Sequence, residues 1–423
     1  IQLQKSIDAT HKTKVGDMYE KCGYDTFAKT GDIYCLFYEK GLHLLKDNGI
    51  LTYITSNKWM RAAYGERLRK FLAQHNPLNL IDFAGQKVFE SATVDVNILI
   101  CQKANNQGKT LACTANNLCK NNLSVFVQQH SVFANYKTQE SWVILSGIEN
   151  SISAKIKSVG VPLRTWNINI YRGILTGFNE AFIIDTNKKN QLIEEDPKSA
   201  EIIRPILRGR DIGRYACNYA NLWLIATFPS KNYDINDFPA VKNYLLSFGK
   251  ERLEQSGSTF TLNGEKIQSR KKTNNKWYET QDSISYWDDF SKQKIVWSRL
   301  TRISKSDFSS FPRFALVDEG YYVLDSLCFF TGDNLQNLIH LLNSEFAAYY
   351  FFNSVAILDN GGLQMRQQYV EEIPLPHLNK SLDGLSQQEI DNIIYEAFHF
   401  TNEEIKYIKN FLLMKKALIQ NSR

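Results

Sequence analysis

Gly31–Trp59, GDIYCLFYEKGLHLLKDNGILTYITSNKW, decides the reading of the fold. Ile33, Leu36, Phe37, Leu44 and Leu45 recur at helical spacing, Asn48-Gly49 supplies a left-handed stop, and Leu51-Thr-Tyr-Ile54 then reads as a buried strand. This is one helix-to-strand crossover of a parallel sheet. Asp32 precedes the helix as its candidate N-cap, and Glu39 falls on its solvated face, so the two are not read as an acid-base pair. Downstream, Arg61–Ala73 reads as a basic amphipathic helix and Asn79–Phe83 as a short strand. Val94–Cys101 is the last strand of this region, overlapping the end of Val88–Ile100, VFESATVDVNILI.

The bulk properties bound the function classes. With 423 residues, 43% hydrophobic and 13% aromatic, the chain can bury two or three cores. A net charge of +6, from 50 basic against 44 acidic residues, leans mildly toward a polyanionic partner. Seven scattered cysteines without a Cys-x-x-Cys or paired histidines argue against a disulfide framework and against a zinc site, and fit a reducing cytoplasm. No apolar run approaches a membrane span.

The order of the helix-strand unit, the Thr55-Ser-Asn-Lys-Trp59 that leaves it and the Val88-Phe89 and Val94-Asp-Val-Asn97 stretch together resemble the gamma-class adenine-N6 DNA methyltransferases. The nearest likeness is to the catalytic-plus-specificity halves of type IIG restriction-modification enzymes. The resemblance implies S-adenosylmethionine as cofactor and double-stranded DNA as partner, with the target adenine swung out of the duplex so that its amino group can be reached. In that family a cofactor loop and an Asn-Pro-Pro-Tyr tetrapeptide precede the unit. Neither is here: the only Asn-Pro is Asn76-Pro77, followed by Leu78, and no Gly-x-Gly occurs. The chain therefore reads as the C-terminal part of a longer polypeptide, inactive alone, with the missing N-terminal methyltransferase half or subunit as a partner.

The resemblance assigns Phe89 to stack on the extruded adenine, an aromatic face offsetting part of the lost base stacking; the bland alternative is a loop anchored on the core. It assigns Phe37 to cover the cofactor's adenine ring, against plain packing of an amphipathic helix. Tyr171–Asn179, YRGILTGFN, opens the recognition region as in type IIG enzymes, with Arg172 and Asn179 as donors for phosphate or base edges and Gly173 and Gly177 for tight turns near a partner. The basic loop carrying Arg208 and Arg210 also matches and suits phosphate clamping. Arg270, Lys271 and Lys272 join amides in a loop near Arg299 and Arg302, which end a strand and suggest a groove lining. Asn360–Tyr369, NGGLQMRQQY, resembles the family's last recognition element, and Gln364, Arg366 and Gln367 have the geometry for bidentate contacts to adenine or guanine. Asp391 with Glu404-x-Lys406 is the only nuclease-like fragment; these residues are expected on exposed helix faces, so no nuclease and no metal site is read here.

The expected fold class is α/β: the second half of a Rossmann-like methyltransferase sheet (residues 1–105), a β-rich connector (106–150) containing strands at Ser124–Val127 and Trp142–Leu145, a mixed α/β target-recognition domain (151–380) and a helical tail (381–423). Capping boxes at Ser386/Glu389 and Thr401/Glu404 start the tail helices. The expected function is DNA sequence recognition within a site-specific adenine-N6 methyltransferase. Its rivals are a non-catalytic specificity module serving a separate subunit and an RNA or protein methyltransferase of the same fold.

Overall fold

The computed structural model describes residues 2–3, 15–83, 88–89, 94–115, 122–262, 265–303, 305–355, 358 and 362–421. Residues 90–93 and 360–361, parts of two of the quoted motifs, lie outside them. The chain divides into two compact units, Ile1–Ser151 and Ile152–Arg423.

In the first unit the helix Tyr34–Leu44 buries Cys35, Leu36, Tyr38, Glu39 and Leu42. Asn48 takes the left-handed conformation, φ 62°, that turns the chain into strand β1 (Ile50–Ser56). The remaining strands are β2 (Asn76–Asp82), β3 (Val96–Gln102), β4 (Thr110–Thr114) and β5 (Val132–Ala134), in the order β1-β3-β2-β4-β5. The expected parallel sheet is instead mixed: β1, β2 and β4 share one direction, but β3 returns between β1 and β2 and pairs antiparallel with both, so β2 and β4 are the paired parallel strands. The helix at Arg61–Ala73 is shortened to Glu66–Leu72, with a 3-10 turn at Ala63–Gly65 where its start was expected.

Two local readings also change. Ile33, not Asp32, occupies the N-cap position of the first helix, without a side-chain cap bond. Glu39 is buried because its carboxylate accepts from the Asp25 and Thr26 amides (3.1 and 2.8 Å) and the Thr26 hydroxyl (2.8 Å), which together replace the water it loses. Tyr38 bonds Thr55 at 2.8 Å, the Trp59 indole donates to Asn97 at 3.0 Å, and Asn57 donates to Asp82 at 2.8 Å. The Thr55–Trp59 segment thus knits the strand ends together.

The β-rich connector is corrected too. Thr110–Thr114 and Val132–Ala134 belong to the first sheet, and Ser124–Val127 lies in a helix, Leu123–His130. Asn122 caps it, accepting from the Val125 amide at 3.1 Å, and Phe126 is its one buried residue, so capping and one-sided packing override the β-branched composition. Trp142–Leu145 is not a strand. Trp142 is buried, stacked on Tyr136 at 4.5 Å and edge-on to Trp59 at 5.3 Å.

The second unit contains, in chain order, β6 (Val161–Pro162), β7 (Ile168–Arg172), β8 (Ile183–Asp185), β9 (Ile203–Leu207), β10 (Leu222–Ile225), the hairpin β11 (Thr259–Leu262) and β12 (Glu265–Gln268), β13 (Lys294–Ser298), β14 (Thr301–Arg302), β15 (Phe314–Val317), β16 (Tyr322–Val323), β17 (Leu327–Gly332), β18 (Gly362–Leu363) and β19 (Pro374–Leu375). An antiparallel sheet runs β15-β13-β17-β7 and a mixed sheet β16-β9-β10-β8. One core joins them, with Phe290 stacked on Tyr322 at 4.7 Å and tilted against Phe329 at 4.8 Å.

The helices Leu335–Leu342, Glu345–Ser354, Gln387–Ala397 and Asn402–Asn421 pack in this same unit, with Phe346 on Phe398 at 4.5 Å and Tyr349 on Phe411 at 5.0 Å. Both capping boxes form. Asp391 and Glu404, read as exposed, are buried: Asp391 accepts from the Glu345 amide at 2.8 Å and Glu404 pairs with Lys155 at 2.7 Å. Burial pushes the Asp391 carboxyl up to about 6.

Candidate nucleic-acid interface

One end of the antiparallel sheet gathers many of the residues singled out from sequence. Strands β7 and β13 end there and β17 begins there, with Arg172 opposite Cys328 and Ser298 opposite Leu327. Gly173 then crosses so close to the β16–β17 turn that a Cβ would lie 2.0 Å from the Leu324 carbonyl oxygen. The close approach foreseen for this glycine is to its own chain, and it seats Arg172 against the turn.

Gln364 and Arg366 arrive from elsewhere in sequence. The buried Trp297 indole of β13 donates to the Met365 carbonyl at 2.8 Å, and β14 pairs with β18, so the segment between is held over the same sheet end. Because Leu363 and Met365 point their apolar bulk into the core, the alternate residues Gln364 and Arg366 are left at the surface. The Arg208–Asp211 turn is stitched on as well: Ser298 Oγ donates to the Gly209 carbonyl at 2.9 Å and the Gly209 amide to Ser326 Oγ at 3.2 Å.

The result is two adjoining open clefts that share Arg299 and Arg366. One, of about 320 Å³, also has Arg172, Gln367, Cys328 and Glu371 in its wall. The other, of about 330 Å³, adds Gly209, Gln364, Asp325 and Ser326. The arginines are oriented from behind. Arg172 pairs with Asp282, Arg299 Nη1 donates to the Asp325 carbonyl at 2.8 Å, and Gln367 Nε2 donates to Glu371 at 3.3 Å. Burial disfavours the Arg172 charge, but Asp282 outweighs it and holds the pKa above its ordinary value. Burial pushes the Cys328 thiol up to about 11, so the sulfur faces this site as a neutral group. Fixed guanidinium forks, amide side chains and carboxylates in a shallow polar cleft make a surface able to bond both phosphates and base edges.

Other sequence candidates fall elsewhere. Arg270 is corrected outright: it is buried, and its guanidinium donates to the carbonyls of Leu253 (2.8 Å), Thr176 (2.8 Å), Glu279 (2.7 Å) and Trp277 (2.7 Å), while burial lowers its pKa to about 10. It braces the Gly177 turn and the 276–280 loop and has no fork left for a phosphate. Arg208 is committed to Asp211 through Nε and Nη2 (3.1 and 2.9 Å), a pair that closes the turn, leaving Arg210 as its exposed cation. Asn179 is exposed with its oxygen engaged by Thr176 at 2.6 Å. Lys271, Lys272 and Arg302 are exposed and line neither cleft. In the first unit Phe37 is 50% and Phe89 43% exposed. Sequence reasoning missed Asp325, Ser326, Asp282 and Glu371; the only signal was a polar Asp-Ser pair between two apolar strands. Among the described residues no His/Cys/Asp/Glu cluster could hold a metal ion, and no helix is long and apolar enough to cross a membrane.

Residues 4–89 match the Eco57I restriction-modification methylase family, and residues 204–375 match the TaqI-like C-terminal specificity domain. The chain joins an Eco57I-type methylase segment to a TaqI-like specificity domain. It is 23% identical over 430 residues to the type II methyltransferase M.BstVI of Geobacillus stearothermophilus, covering 92% of this chain and 71% of that one. It is 34% identical over 90 residues to the type II restriction enzyme and methyltransferase RM.Eco57I of Escherichia coli, covering 21% of this chain but only 9% of that protein. The type IIL restriction-modification enzyme MmeI, solved in complex with DNA, shares the fold with a TM-score of 0.50 at 14% identity, across 97% of this chain and 55% of that one. Apart from Arg172, the cleft residues named above that come from the second unit's later strands and loops all fall within the specificity domain.

Proposed function

We propose that the chain supplies DNA sequence recognition and the target-base wall of a site-specific adenine-N6 DNA methyltransferase of the type IIG kind, dependent on S-adenosylmethionine. The observation that carries this is the paired cleft in the TaqI-like specificity domain, where Arg299 and Arg366 stand between Arg172, Gln364 and Gln367. These side chains have the donors that guanine and adenine edges accept. Residues 1–105 act as the methyltransferase part and 151–380 as the recognition part. In the first of these Phe89 stacks on the extruded adenine and Phe37 covers the cofactor's adenine ring; the exposure of both rings suits contact with something other than their own core. S-adenosylmethionine would bring the electrophilic methyl group, and Phe37 is the one residue of this chain that we assign to holding it.

Beside Phe37, Leu44 of the same helix and Ile50 and Ile54 of β1 are exposed, and β1 pairs with a single strand, β3, among the described residues. An apolar, half-paired sheet edge fits a further methyltransferase segment, in the same polypeptide or a separate subunit, that completes the cofactor site. The test is binding of fluorescein-labelled duplex DNA to the purified chain across a salt series. The expected outcome is a log-log plot of affinity against salt that falls linearly, with a slope of roughly −0.9 per phosphate contacted. Affinity indifferent to ionic strength, or no binding at low salt, overturns the reading.

A further inference from the structure

The second cleft contains a carboxylate for which a purely phosphate-binding groove has no use. Asp325 lies in the turn between β16 and β17 and lines the cleft with Arg299, Arg366, Gln364 and Ser326. Its backbone is fixed from both sides: the amide donates to the Ile174 carbonyl at 2.9 Å, and its carbonyl accepts from Arg299 Nη1 at 2.8 Å. The carboxylate itself makes no ion pair among the described residues. One nitrogen of Arg299 donates to the Asp325 carbonyl and one of Arg172 to Asp282, so neither closes on the Asp325 carboxylate, and the other guanidinium N–H groups of both still face the clefts. Burial holds its pKa above the ordinary carboxylate value, with Arg299 and Arg172 pulling the other way.

An ionised carboxylate only accepts hydrogen bonds, so it repels phosphates and can meet a base edge only where that edge donates. In the major groove the donors are the exocyclic amino groups of cytosine and adenine. Adenine presents an acceptor beside its amino group and is matched by an amide, whereas the cytosine edge donates alone and is matched by a carboxylate. Its partner guanine presents two acceptors, matched by the arginine fork that shares this cleft. We propose that Asp325 is a specificity-determining residue that accepts a hydrogen bond from the N4 amino group of a cytosine in the recognition sequence, with Arg366 donating to guanine in the same or the adjoining base pair. This rests on the DNA-recognition reading above and names the base chemistry read by one of its clefts.

The experiment is enrichment of a randomised duplex library on the full chain, comparing wild type with Asp325→Asn and Asp325→Ala, each checked by a thermal melt. Wild type should select cytosine at one position, and both variants should lose about ten- to a hundredfold of the discrimination there and keep it elsewhere. A duplex of the selected sequence with pyrimidin-2-one, which lacks the 4-amino group, in place of that cytosine should bind wild type more weakly by a similar factor. The two variants should not distinguish it from the parent duplex. A packing role for Asp325 would not produce that chemical signature. Variants that fold and enrich the wild-type sequences, or that bind all duplexes uniformly more tightly, overturn the assignment while leaving DNA recognition intact. A wild-type chain that enriches no sequence overturns the recognition reading and this assignment with it.

Discussion

The loop around Arg270 and the segment around Arg366 look alike as sequence and differ in every physical respect as structure. Both set arginine two residues after a glutamine in a stretch without apolar period, QSRKK at 268–272 and QMRQQ at 364–368. Arg270 turns inward, donates to four carbonyls and lies over the Phe182 ring at 5.0 Å. Arg366 stays exposed because its neighbours Met365 and Val370 take the apolar anchorage and Trp297 takes the Met365 carbonyl. A basic residue in a polar loop is therefore a contact candidate only while its donors are unspent, and the count of free acceptors nearby decides that.

The largest effect should come from Arg270. Arg270→Met leaves the carbonyls of Leu253, Thr176, Glu279 and Trp277 short of a donor, and urea unfolding should show a loss of about 3–5 kcal/mol. The salt dependence of DNA binding by the folded fraction should not change. A variant that melts like wild type but binds DNA poorly breaks the comparison. Arg366→Ala should behave in the opposite way: an unaltered melting curve and, for the preferred duplex, about 1–3 kcal/mol of lost affinity that vanishes on non-specific DNA. Equal losses on all duplexes would make Arg366 a phosphate contact. Lys271→Ala and Arg302→Ala should give the smallest effects, each lowering the log-log salt slope by about one unit with sequence preference kept. Slopes equal to wild type would place these exposed cations outside the footprint and confine contact to the clefts.

The same contrast appears among the acids. Glu39, read as solvated, is buried with three donors, and Asp391 and Glu404, read as exposed on amphipathic helices, are buried beside a helix start and a lysine. Helical periodicity gives the face a side chain occupies, and a charged residue near the edge of that face is buried or solvated according to which donors another segment brings. Residues 124–127 carry strand-like composition yet form a helix, since an asparagine cap and a single apolar contact are enough to decide a short segment.

What the sequence by itself determined were local matters. The helix before β1, its asparagine stop, the strands near residues 50, 80 and 98, and both C-terminal capping boxes follow from spacing and cap chemistry, which act within a few residues. Only the tertiary structure decided that β3 inserts between β1 and β2, that Arg172, Arg299 and Arg366 meet at one sheet end, and that Asp325 stands among them. Those outcomes depend on pairings far apart in sequence, such as Trp297 with Met365, 68 residues on, and Arg172 with Asp282, 110 residues on, or on which strand fills a sheet. Hydrogen-bond satisfaction sets them for the folded molecule as a whole, and no window of local sequence contains both partners.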